Sequence, residues 1–77
     1  MDAVIKVEVV CHMAGGRKVV GDMQFACQQD LTAWREFLQS NQDVVKIELT
    51  LPGGRWAEYK RLPLLGWSRT EGGHDPK

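Results

Sequence analysis

Ile5-Lys6-Val7-Glu8-Val9-Val10-Cys11, residues 5–11, decides the fold. Apolar side chains recur at every second position, which marks a strand with one buried and one exposed face. The same period returns in Met23, Phe25 and Cys27, and again in Val45, Ile47, Leu49 and Leu51. Between the second and third runs, Leu31, Trp34, Phe37 and Leu38 follow helical spacing. The chain therefore spells an α+β domain in the order strand-strand-helix-strand-strand. The expected architecture is a four-stranded, mainly antiparallel sheet with one helix packed on one face, spanning residues 1–62. Residues 63–77, apolar without period as far as Trp67 and then polar and glycine-rich, read as a tail that ends in disorder.

The first two strands, 4–12 and 18–27, flank Gly15-Gly16. A two-residue Gly-Gly turn would set Val9 opposite Asp22 and bring charge to the buried face. A three-residue loop at Gly15-Gly16-Arg17 instead faces Val9 with Met23, Val7 with Phe25 and Ile5 with Cys27. That register buries both thiols and separates them by roughly 20 Å, far beyond disulfide reach. Reduced, protected cysteines are expected.

Asp30 is the expected N-cap of a helix over 31–40, with Asn41 in the left-handed C-terminal position. Leu31, Trp34, Phe37 and Leu38 make its inner face. The third strand, 44–51, turns at Pro52-Gly53-Gly54 in type II geometry into the fourth, 55–62. An odd loop there sends Tyr59 inward and Trp56 outward. The outer face then carries Val4, Lys6, Glu8, Val10, Lys46, Glu48, Thr50, Trp56, Glu58 and Lys60.

Composition excludes more than it assigns. The 77 residues carry 10 basic and 10 acidic side chains, so the domain lacks the basic excess of a general nucleic-acid binder. No apolar run approaches the ~20 residues that cross a bilayer, and the opening residues resemble no signal peptide, so a cytoplasmic location is expected. The inventory points away from an enzyme: His12 and His74 have no carboxylate or cysteine partners at ligand spacing. Cys11 and His12 point to opposite faces of one strand. Gly15-Gly16-Arg17-Lys18 joins two strands, whereas a phosphate loop must lead into a helix. No metal or cofactor is expected.

Function is thus expected in surfaces, and in a domain this small a second copy of the chain ranks among the candidate partners. Trp56 with Arg55, Glu58 and Lys60 forms one candidate partner-binding group; Trp67 beside Leu64 and Leu65 forms another; Arg17 and Lys18 complete the set. In size and element order the chain resembles small phage-encoded anti-CRISPR proteins, over residues 4–62 and as architecture only. The resemblance implies a non-enzymatic inhibitor or adaptor that occupies the surface of a host nuclease or defence complex in the host cytoplasm, and its neutral charge favours protein blocking over DNA mimicry. The alternative is a single-stranded nucleic-acid or RNA module using Trp56, Arg55, Lys60 and Lys46. A more distant alternative is a ubiquitin-like modifier, from the similar strand order and Gly72-Gly73.

Overall fold

A computed structural model describes residues 4–73. The elements are β1 (Ile5–Met13), β2 (Lys18–Phe25), α1 (Gln28–Gln39), β3 (Val44–Thr50), a 3-10 turn (Pro52–Gly54), β4 (Trp56–Leu62) and β5 (Gly66–Gly72). The α+β class stands, but the sheet has five strands, in the order β2-β1-β3-β4-β5 with every neighbour antiparallel. The fifth strand replaces the expected tail. Pro63, Leu64 and Leu65 form a hairpin loop, and Leu62 faces Gly66 across its base. Leu64, at φ 67, and Gly66, at φ 89, supply the left-handed corners that reverse the chain. The domain therefore runs past residue 62, and only 74–77 of the expected disordered segment lie outside the described residues.

Faces follow the alternation. Val7, Val9 and Cys11 of β1, Ile47 and Leu49 of β3, and Ala57 and Tyr59 of β4 are buried under the helix with Phe25, Leu31 and Val44. Ile47 is fully enclosed at the centre of the sheet. The β3–β4 register matches expectation, Ile47 facing Tyr59 and Leu49 facing Ala57. Gly53 holds φ 80 and ψ 14, the second corner of a type II turn after Pro52, and the Leu51 N–H donates to the Arg55 carbonyl at 2.7 Å.

The β1–β2 register is corrected by two residues. The loop is Ala14-Gly15-Gly16, so Val7 faces Met23, Val9 faces Gly21 and Ile5 faces Phe25. A two-residue slip keeps every side chain on its face, so alternation alone does not distinguish the two registers. A bulge beside Met13 sets Val44 opposite it, and Val44 is buried while Val45 is only half-buried.

The helix begins three residues earlier than expected. Cys27, in extended geometry, is the N-cap without a side-chain hydrogen bond, and Asp30 sits inside the first turn, where its charge complements the helix dipole. Cys27 is consequently exposed, contrary to the expected burial, while Cys11 is buried; both are free. Burial also raises the pKa of the Cys11 thiol. A thiol reagent applied to the native protein should modify Cys27 rapidly and Cys11 only on unfolding, as mass spectrometry of the labelled chain would check; equal rates would contradict the burial of Cys11.

Asn41 does not adopt the left-handed conformation. Its side-chain oxygen accepts from the Asp43 N–H at 2.9 Å, forming an Asx turn that carries the chain into β3. The inner helix face is Leu31, Trp34 and Leu38; Phe37, expected there, is 71 % exposed. At 100° per residue, Phe37 lies beyond Trp34 and away from the sheet. Trp34 takes the central aromatic place, its ring 5.3 Å from that of Phe25.

Candidate protein-binding surface

One helix is too narrow to roof five strands, which lie roughly 4.8 Å apart. It leaves a cleft on each flank. The two clefts differ in chemistry because the two flanks of α1 and the two sheet edges carry different residues.

Toward β5 the cleft is polar. Arg35, Arg55, Arg69 and Glu71 line it together with Tyr59 and Thr32. Arg35 donates to Gln39 at 2.7 Å and lies 4.7 Å from the Tyr59 ring centre; Arg69 pairs with Glu71 at 2.6 Å. Arg35, Tyr59, Arg69 and Glu71 are thus engaged within the domain.

Toward β2 the cleft, about 290 Å³, is apolar. Cys11, Val19, Met23, Trp34, Leu38 and Val44 contribute to its walls, and Gly21 leaves a gap in its floor. Helical geometry places Phe37 on the same flank as Trp34, at the upper rim. Seven of the eight β2 residues are exposed, Val19, Val20 and Met23 among them. Exposed apolar groups are unremarkable singly; here Val19 and Met23 converge on one groove at one margin of the domain, while Val20 faces the other side of the sheet. Phe37, Val19 and Met23 were not among the residues expected to bind a partner.

The expected binding residues are divided among three places. Trp56, Glu58 and Lys60 share the outer face of β4 as expected, and Arg55 stands at its start beside the polar cleft. Trp56 is 41 % exposed, and its indole lies against Gly72, where a Cβ would come within 2.6 Å of the ring. Gly72 thus closes β5, and the adjoining Gly73, just past the strand, is packed against Gly54. Trp67 is half-buried on the inner face of β5 with the Arg61 guanidinium 4.6 Å from its ring centre, while Leu64 and Leu65 are exposed at the hairpin tip. Arg17 and Lys18 lie at the opposite edge, at the entry to β2.

The register also orders the outer face into transverse rows. Lys18, His12, Lys46, Lys60 and Ser68 stand side by side across all five strands. The next row reads Val20, Val10, Glu48, Glu58 and Thr70. The acidic row neutralises much of the basic one: Glu48 contacts His12 and lies 3.8 Å from Lys46, whose amine is 3.2 Å from Glu58. Such half-exposed pairs contribute at most about 1 kcal/mol each, but they hold the cations inside the sheet's own network.

Among the described residues no three His, Cys, Asp or Glu side chains come together as metal ligands, and no helix is long and apolar enough to cross a membrane. Comparison with protein-family models, with curated proteins and with solved structures finds no match to this chain.

Proposed function

We propose that this domain is a non-enzymatic protein-binding module, an inhibitor or adaptor, that seats an apolar segment of its partner in the cleft between α1 and β2. The observation that carries this reading is the convergence of Trp34, Leu38, Val19 and Met23 on one groove that no charged group lines, with the exposed Phe37 on the same flank of α1. Because charged groups do not line the groove, its partner is selected by shape and apolar area, as at the centre of protein interfaces. The likeness in size and element order to anti-CRISPR proteins supports a host nuclease or defence complex as the class of target. Binding there blocks by occupancy and needs no chemistry from the domain. The test is retention of purified candidate complexes by the wild-type chain and their loss with the Phe37→Gln variant; retention unchanged by that variant would place the contact elsewhere.

The transverse basic row favours a second reading. Lys18, His12, Lys46 and Lys60 cross the strands over roughly 14 Å, a path that suits a single-stranded nucleic acid with Trp56 as a stacking platform further along the same face of β4. Titration of a short single-stranded RNA at low salt separates the two readings. Affinity that falls steeply as salt rises supports the nucleic-acid reading, and absence of binding at low salt removes it.

A further inference from the structure

We infer that two copies of this chain pair through their β2 strands, antiparallel and about a two-fold axis at Val20, so that the two sheets become one. The inference rests on the edge of β2 and stands apart from the use of the α1–β2 groove.

The argument begins with the direction of the backbone groups. The Met13 N–H donates to the Arg17 carbonyl at 2.7 Å, so the carbonyl of Arg17 points toward β1. In an antiparallel ladder this direction alternates. Residues 19, 21, 23 and 25 therefore turn their amides and carbonyls toward β1, and residues 18, 20, 22 and 24 turn theirs outward. β2 is an edge strand, and Lys18 to Gln24 are all exposed. An uncovered edge of this kind is a template for another strand.

Only pairings that set outward residues opposite outward residues close the ladder, and they differ by steps of two. If Val20 faces Asp22 of the second copy, an apolar residue meets a charge on each side of the axis. If Val20 faces Lys18 of the second copy, the mismatch recurs with the opposite sign. If Val20 faces Val20, then Lys18 of each copy faces Asp22 of the other. This register alone places the 67 % exposed Val20 against an apolar partner and satisfies both charges twice. The strand is complementary to itself.

The opposite edge is built to refuse such pairing. β5 directs Arg69 and Glu71 onto the same inner face as Tyr59 and has glycine at both ends. Inward charges on an edge strand obstruct sheet extension. With one permissive and one blocked edge, the assembly closes as a dimer and does not propagate into a fibre. Paired residues of an antiparallel ladder point to the same face, so both helices lie on one side of the joined sheet. Their two apolar clefts then flank a single trough whose floor includes Val19, Gly21 and Met23 of each copy.

Sedimentation of the full chain from micromolar to millimolar concentration tests the pairing. The wild type is expected to dimerise. Asp22→Lys, which sets lysine opposite Lys18 on both sides of the axis, is expected to weaken the dimer about tenfold or more, and the exchange Lys18→Asp with Asp22→Lys to restore it. Both positions are exposed, and circular dichroism checks that each variant is folded. A wild type still monomeric at about 1 mM overturns the inference, as does a dimer indifferent to Asp22→Lys or one that the exchange fails to rescue. Phe37→Gln leaves the dimer intact under this geometry, so loss of partner binding and loss of pairing are read independently.

Discussion

Replacing Arg61 by Met should lower the stability of the domain by about 2–4 kcal/mol and its urea midpoint by about 2 M, although Arg61 is only half-buried. The side chain leaves β4 on the inner face and ends at the C-terminal end of α1. Its Nε donates to the Val44 carbonyl at 2.9 Å, and its Nη2 donates to the carbonyls of Asn41 at 2.9 Å and Gln39 at 3.2 Å. The Gln39 carbonyl is one that the helix leaves unsatisfied at its end, where the dipole also favours a cation, and the other two belong to the loop and the start of β3. The guanidinium face rests on Trp67. One residue thus joins the helix, the loop into β3, and β4 to β5. Each hydrogen bond to a charged group contributes about 1.5–3 kcal/mol, discounted here for partial exposure. The Met variant keeps an unbranched apolar stem and removes the guanidinium, so the measured loss belongs to the three hydrogen bonds together with the contact on Trp67. Arg61→Lys should recover less than half of it, because one ammonium cannot reach three carbonyls in a planar fork. For a chain of this size, whose total stability is about 4–12 kcal/mol, the loss is a large fraction of the whole. A midpoint within 0.3 M of wild type, on the order of experimental scatter, would show that the contacts contribute little.

Arg61 marks the point where the sequence stops being informative. Its parity with Tyr59 places it on the buried face of β4, and a charge there reads as an irregularity. Only the fold reveals that the carbonyls of Gln39, Asn41 and Val44 come within its reach. The same limit hid β5: Trp67, Arg69 and Glu71 share its inner face, and a strand with one apolar residue on that face gives no alternation to detect. By contrast, the faces of β1, β3 and β4 were legible, including Tyr59 inward and Trp56 outward, because each strand has a polar side that cannot be buried without cost. Register was less legible than face, since the Ala14-Gly15-Gly16 and Gly15-Gly16-Arg17 loops leave every side chain on the same side of β2. The apolar groove was missed for a related reason. Phe37 fits the helical spacing of Leu31, Trp34 and Leu38, and only the orientation of α1 over the sheet decides which aromatic is covered.

That orientation sets the largest functional effect. Phe37→Gln should reduce partner binding about thirtyfold or more, equivalent to about 2 kcal/mol, while changing stability by less than about 0.5 kcal/mol. Phe37 is 71 % exposed, so the folded monomer gives up little burial when it is lost, and glutamine is the better helix former. An amide at the rim of the groove, however, must shed water to enter an apolar contact, and the residues that line the cleft are apolar apart from Asn41. Trp34→Ala makes a poor probe of the same surface. Its ring packs on Phe25, and removing it should cost about 2–4 kcal/mol of folding, which confounds any binding measurement. Trp56→Ala provides the control: it removes a less exposed aromatic from the outer face and should leave groove binding within about twofold of wild type. Calorimetric titration of the Phe37 and Trp56 variants against one partner decides between the faces. Greater loss from Trp56→Ala would move the binding surface to the outer face of the sheet, beside the basic row.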